Sequence, residues 1–252
     1  MQKIFSFTDG LIRQPTHYCP GCTHGTIHRL VAEVIMELGI RERAVGISPV
    51  GCSVFIYKYL RCDMFQASHG RAPAVATGAK RCRPELIVFT YQGDGDLAAI
   101  GTSEIIHAAN RGEMITVFFV NNAIYGMTGG QMAPTSIPGQ RTTTTPLGRN
   151  VAEDGYPVNM SEVLAQLHTP GYVERVSTHS PKEIINAKNA VRKAFQCQME
   201  NRCFSFIEFL STCPTNWGLT PRESLQWLER EMLPYFPLGE IKSPPEPGGS
   251  ES

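Results

Sequence analysis

The chain has 252 residues, with 23 Lys+Arg against 23 Asp+Glu, 42% hydrophobic and 18% charged residues. That length suits one large α/β domain or two small ones. The zero formal charge argues against a general nucleic-acid binder, and no apolar run reaches the roughly 18–20 residues that span a bilayer.

The opening MQKIFSFTDG lacks a long apolar segment of the secretory kind, which predicts a cytoplasmic chain that neither enters nor crosses a membrane. The eight cysteines, at 19, 22, 52, 62, 82, 197, 203 and 213, are then expected in metal binding or simple burial rather than in disulfides. The first motif, Tyr18-Cys-Pro-Gly-Cys22, is a C-x-x-C on a loop before the first helix. Alone it is open to a redox, zinc, iron–sulfur or structural reading.

Residues 24–39 form an amphipathic helical pattern, with Ile27, Leu30, Val31, Val34, Ile35 and Leu38 at i, i+3, i+4, i+7, i+8 and i+11 and Gly39 as the stop. His24 and His28 lie four apart on it, and His28 is expected to face solvent. Short buried strands are predicted at 45–47, 86–91, 115–120, 172–176 and 204–210, and helices at 98–111, 160–168 and 181–200. A further helix rich in small residues follows His69-Gly70-Arg71. The alternation implies βαβ units, hence an α/β fold with a parallel sheet and helices on both faces. Residues 1–242 are read as a single domain, and SPPEPGGSES (243–252) as a disordered tail. Residues 126–155, thick with Gly, Pro and Thr, read as a long functional or disordered loop suited to an anion or another subunit.

Ligands of such sheets bind beyond the carboxyl ends of the strands, and two strand ends here are unusual. One apolar run ends in Gly93-Asp94-Gly95-Asp96. The next ends in Asn121-Asn122, which puts Asn122 28 residues after Asp94 (122 − 94). Magnesium takes hard oxygen ligands, a few from the protein and others from a phosphate. The Asp94 carboxylate, the Asn122 amide oxygen and the Ile124 carbonyl form such a set. Gly93 and Gly95 permit close backbone approach, and the helix starting near Leu97 offers unpaired N–H groups to a diphosphate. Asp96 is read as the N-cap of that helix.

The pair Gly-Asp-Gly and Asn-Asn at this separation resembles the metal and diphosphate motif of thiamine diphosphate enzymes. The series CPGCTHG, SPVGCS, HGRAPAVATGAK, GDGD, NNAIYGMTGGQ and STCPTNWG, in this order from residue 15 to residue 240, is similar to the β subunit of 2-oxoacid:ferredoxin oxidoreductases. That resemblance implies the diphosphate-domain fold of thiamine enzymes. It implies a [4Fe–4S] cluster on Cys19, Cys22, Cys52 and Cys213, and thiamine diphosphate contacts from Gly51, Cys52, Ser53, His69, Gly70, Gly93, Asp94, Gly95, Asp96, Asn122, Ile124, Tyr125 and Gly126. Cys62, Cys82, Cys197 and Cys203 match no family ligand and are read as buried small hydrophobes or incidental thiols.

The implied reaction is oxidative decarboxylation of a 2-oxoacid to acyl-CoA and CO2, with coenzyme A as acceptor and electrons passed to ferredoxin. In this family the pyrimidine-binding domain belongs to an α subunit, and γ and δ subunits are further partners to consider. Thiamine catalysis needs a carboxylate against the aminopyrimidine, and Glu104, mid-helix, is read as surface or interface. The chain alone is therefore expected to be inactive. Rival readings are a non-oxidative thiamine enzyme and a zinc-binding interaction module. Apolar Val54 and Phe55 after Cys52, and uncharged Gly129 and Gly130, favour a branched acid such as 2-oxoisovalerate over 2-oxoglutarate, unless Arg141, Arg149 or the α subunit supplies a cation.

Overall fold

A computed structural model describes residues 6–169 and 171–246 of the chain. The 3.6-residue stripe near the N-terminus forms α1 (His24–Glu37), with Ile27, Leu30, Val31, Val34 and Ile35 buried. Gly39, at φ +65, ends it by letting its own N–H reach the Met36 carbonyl and that of Ile40 reach Ile35. The chain then runs β1 (Ala44–Ser48), β2 (Asp63–Gln66), α2 (Ala72–Cys82), β3 (Ile87–Gly93), α3 (Thr102–Asn110), β4 (Thr116–Asn121), α4 (Val151–Asp154), α5 (Met160–Ala165), β5 (Gly171–Ser177), α6 (Pro181–Met199), β6 (Phe204–Leu210), α7 (Pro214–Trp217), α8 (Pro221–Trp227), α9 (Leu233–Tyr235) and β7 (Gly239–Lys242).

One seven-stranded sheet has the order β2-β1-β3-β4-β6-β5-β7. Side chains alternate between its faces. Phe89, Tyr91, Phe118 and Val120 pack with α1 and α6, whereas Val88, Val117 and Phe119 pack with residues of α2, α3 and α5. Both faces are thus covered, which is why the central strands read as continuous apolar runs. A third cluster, Ala123, Ile137, Leu210, Leu228, Met232 and Phe236, packs the C-terminal helices over the ends of β4 and β6. Among the described residues no helix is long and apolar enough to cross a membrane.

The parallel-sheet expectation needs one correction: β7 pairs antiparallel with β5, while the pairings among β1 to β6 are parallel. Neither edge strand was predicted. β2 reads DMFQ and is mostly exposed, and β7 is only four residues long, so neither shows an apolar run. The helix predicted over 98–111 begins earlier, as a π-helical turn (Gly95–Ile100) closed by Gly101 N–H to the Asp96 carbonyl at 2.9 Å, and α3 continues it. Of the expected tail, residues 243–246 are irregular and 247–252 lie outside the described residues.

The 126–155 segment is an ordered loop. The Arg149 guanidinium donates to the carbonyls of Pro134, Ser136, Asp154, Gly155 and Tyr156 at 2.6–3.2 Å and so ties the loop to itself. Arg149 is thereby committed away from any ligand. Cys197 and Cys203 are buried in the core, Cys62 packs partly against it, and Cys82 is exposed. All eight cysteines are free.

Candidate cofactor site

Strand register brings the two unusual strand ends together. Gly93 of β3 lies opposite Val120 of β4, and Asn121 opposite Leu210 of β6. Asp94 and Asn122 each follow the last residue of a neighbouring strand. The Ile124 N–H lies within bonding distance of both, 3.1 Å from Asp94 Oδ2 and 3.2 Å from Asn122 Oδ1.

Asp94 also accepts from Thr135 Oγ1 at 3.0 Å and from Gly95 N–H at 2.8 Å. Its carboxylate is buried. Burial pushes its pKa up to about 7, against those hydrogen bonds, which favour the ionised form. A buried carboxylate short of positive charge is the electrostatic setting that a divalent cation relieves. The backbone around it is open by necessity, since a Cβ on Gly95 would lie 3.0 Å from the Tyr125 ring.

A cavity of about 220 Å3 opens at these strand ends. Of the predicted contacts, Gly51, Cys52, Ser53, His69, Gly93, Asp94, Gly95, Asp96, Asn122, Tyr125 and Gly126 line it. Gly70 and Ile124 do not; each stands behind the wall, with its N–H on Asp96 and on Asp94 respectively.

The N-cap reading of Asp96 is corrected: Asp94 is the residue whose side chain accepts at the start of the π turn. Asp96 Oδ1 instead accepts from Val50 N–H (3.1 Å), Gly70 N–H (3.0 Å) and His69 Nδ1 (2.7 Å), and Oδ2 from Gln92 Nε2 (2.6 Å). It binds the Val50 and Gly70 loops to the end of β3, and so shapes the cavity.

The cysteines form a second cluster next to this cavity. A Cβ on Gly126 would lie 3.1 Å from Cys52 Sγ and 3.5 Å from Cys213 Sγ. Burial raises the Cys52 thiol to about 12, helped by the nearby thiols of Cys213, Cys22 and Cys19 and by Asp94. Burial likewise raises Cys22 to about 11, again with Cys213 and Cys19 close by, and it raises Cys213. The four thiols therefore share one neighbourhood, contributed by the C-x-x-C loop and the ends of β1 and β6. Cys213 Sγ receives Asn216 Nδ2 at 3.3 Å, and the His24 backbone N–H bonds Cys22; N–H bonds to sulfur stabilise thiolate charge. Among the described residues no three His, Cys, Asp or Glu side chains close on one point as around a single ion. A four-iron cage separates its ligand sulfurs by its own width, so its thiols do not converge on one atom.

Several neighbours escaped sequence reading. His24, Val50, Ile100, Met127 and Thr128 also line the cavity. His24 and Met127 sit inside motifs already singled out, but nothing in an aperiodic loop marks Thr135 as a partner of Asp94. The expectation that His28 faces solvent is wrong: it is 2% exposed, its Nε2 lies 3.2 Å from Tyr18 OH, and Tyr91 and Tyr59 pack around it. His24 lies 2.8 Å from Tyr91 OH and stacks on Tyr18. Burial lowers the His24 pKa to about 3 and that of His28 well below its ordinary value, so both imidazoles are neutral near pH 7. Glu104 is half-buried and paired with Arg71. Among the described residues no Glu, Lys or Arg lines the cavity.

A family model described as thiamine pyrophosphate enzyme, C-terminal TPP binding domain, matches residues 49–209. A ketoisovalerate oxidoreductase subunit VorA of Methanothermobacter thermautotrophicus is 49% identical over 94% of this chain and 50% of its own length; a second, from Methanothermobacter marburgensis, is 50% identical with the same coverage. The chain thus spans half the length of these two relatives. A 2-oxoglutarate synthase subunit KorB of Archaeoglobus fulgidus is 37% identical over 85% of this chain and 76% of its own. A solved 2-oxoglutarate:ferredoxin oxidoreductase from Magnetococcus marinus, with 2-oxoglutarate, coenzyme A and succinyl-CoA bound, superposes with a TM-score of 0.71 at 32% identity, covering 82% of this chain and 67% of that one.

Proposed function

The chain belongs to the thiamine diphosphate-binding subunits of the 2-oxoacid:ferredoxin oxidoreductases, and from that premise we propose that it holds thiamine diphosphate through magnesium and carries a [4Fe–4S] cluster beside it. Asp94, Asn122 and the Ile124 carbonyl hold the magnesium; Cys19, Cys22, Cys52 and Cys213 hold the cluster. The observation that carries this reading is the Ile124 N–H reaching both Asp94 and Asn122, which puts two hard oxygen donors from neighbouring strand ends against one cavity.

When bound, thiamine diphosphate supplies the carbon nucleophile and electron sink for decarboxylation, and the cluster takes electrons one at a time. The chain's residues provide the setting. Asp94 supplies the negative charge that binds the cation. Asp96 keeps the Val50 and Gly70 loops closed over the cavity, and the N–H groups on Cys22 and Cys213 favour their thiolates. Val50, Ile100 and Met127 give the cavity apolar lining.

The substrate is a branched 2-oxoacid such as 2-oxoisovalerate. No Lys or Arg among the described residues lines the cavity to receive a second carboxylate, Arg149 is engaged within its own loop, and relatives near 50% identity bear the ketoisovalerate name. Acyl transfer to coenzyme A, electron delivery to ferredoxin and a pyrimidine-binding α subunit complete the proposal. Anaerobic purification with copurifying subunits tests it. About four irons per chain, magnesium released together with thiamine diphosphate, and faster turnover of 2-oxoisovalerate than of 2-oxoglutarate or pyruvate are expected. Zinc at the thiols, or a preference for 2-oxoglutarate, counts against the cluster or the substrate respectively.

A further inference from the structure

We infer that Asn121, backed by the buried Glu208, is the positioning residue of the metal turn: it donates no atom to the metal, but it sets the backbone that brings Asn122 and Ile124 against Asp94. This rests on the magnesium reading above.

The turn holds one of two non-glycine residues at positive φ among the described residues, Ala123 at +56. A left-handed alanine is disfavoured by roughly tenfold or more, so the surroundings must hold it. The Ala123 N–H donates to Asn121 Oδ1 at 3.0 Å. Its carbonyl accepts from Ser136 Oγ at 2.6 Å and Gln140 Nε2 at 2.8 Å. The peptide is gripped at both ends, and the residues on either side of it are the proposed ligands.

The orientation of Asn121 is dictated from behind. Its Nδ2 donates to Glu208 Oε1 at 2.8 Å. A carboxylate only accepts, so the amide nitrogen must face Glu208 and the amide oxygen must face Ala123. Glu208 is itself held in place from behind. Its Oε2 accepts from Arg175 Nε at 2.8 Å and from Ser161 Oγ at 2.5 Å, and Arg175 also pairs with Glu162 through both carboxylate oxygens. Asn121, Glu208 and Arg175 are all buried. The relay therefore runs from α5 through β5 and β6 to the end of β4, and its last hydrogen bond fixes the turn. A residue at 208 without an acceptor would leave the Asn121 amide free to flip.

The test is calorimetric titration of magnesium at saturating thiamine diphosphate, on protein purified with its subunits and depleted of both. Asn121→Ala is expected to weaken magnesium binding by about 10–100-fold, the range for residues that orient a metal's ligands, with iron content unchanged. Glycine takes positive φ freely, so adding Ala123→Gly to Asn121→Ala is expected to recover about tenfold. A merely structural Asn121 would lower the melting temperature, leave magnesium affinity within about twofold, and show no recovery from Ala123→Gly; that result overturns the inference. If Asn121→Ala does not fold, Asn121→Ser, which keeps an acceptor for Ala123 but loses Glu208, is expected to show a smaller loss of affinity, and wild-type affinity there also overturns it. Wild-type protein that takes up no magnesium defeats the underlying reading as well, so the two failures are distinguishable.

Discussion

At the scale of single residues, Gly126 is tightly placed on its cluster side. A methyl there meets Cys52 Sγ at 3.1 Å and Cys213 Sγ at 3.5 Å, and Asn122 Nδ2 at 3.6 Å. Gly126→Ala is therefore predicted to lower the iron content of anaerobically purified protein while leaving its secondary structure intact, as iron analysis beside circular dichroism would show. Full iron occupancy in that variant would mean that a methyl at 126 does not disturb Cys52 and Cys213 as cluster ligands. Residue-scale legibility divides along the same line. Asp94, Asn122 and the four thiols sit in short motifs whose chemistry can be read locally. Thr135 and Glu208 cannot be read this way: their partners lie 41 and 87 residues away, and only strand register and loop folding bring them together.

At the scale of elements, helices α1 and α6 are joined on their outer surface by charge. Lys188 Nζ lies 2.8 Å from Glu33 Oε2 and 2.7 Å from Glu37 Oε1, and Arg192 also pairs with Glu37. Partial burial opposes ionisation of both glutamates, but the hydrogen bonds and charges of Lys188, Arg29 and Arg192 outweigh it and hold both carboxyls below their ordinary value. Because the folded values are depressed, this stabilisation is complete above about pH 4.5 and disappears as pH falls through the folded values. Lys188→Met is predicted to cost about 0.5–1 kcal/mol at pH 7 and progressively less as pH falls through the depressed folded values, measured by urea unfolding; a loss that does not change with pH would rule out the ionic origin.

The same scale explains which elements the sequence reveals. Buried central strands advertise themselves as apolar runs, and α1 as a 3.6-residue stripe. The edge strands β2 and β7 are exposed on at least one side and carry no such mark. The 126–155 loop has no periodicity because its order comes from scattered hydrogen bonds, those of the Arg149 guanidinium to carbonyls among them, a pattern invisible to hydropathy.

At the scale of the whole molecule, the described residues give the cavity acids only from Asp94 and Asp96, and both are occupied: Asp94 within the proposed metal set and Asp96 by the loops it binds. No Glu among the described residues lines it to act on an aminopyrimidine. The isolated chain is accordingly predicted to show negligible 2-oxoacid oxidation even when loaded with thiamine diphosphate, magnesium and iron, with activity returning on mixing with a subunit that brings the missing carboxylate. Robust turnover by the chain alone would refute the shared-site idea.

The fold class was legible from the alternation of strands and helices, and the ligand-bearing end of the sheet from the strand termini. The order of the strands was not, because no local pattern tells a strand which neighbour it will take.

That order has a consequence for biogenesis. The proposed sulfur donors come from the loop before α1, from the end of β1 and from the end of β6, with β3 and β4 lying between β1 and β6. A ribosome must deliver almost the entire sheet before Cys213 emerges, so a nascent chain cannot offer a complete thiol set. On the proposed assignment, whatever machinery donates iron and sulfide has to meet a polypeptide whose sheet has been made as far as β6, and truncations that remove β6 should accumulate as iron-free protein.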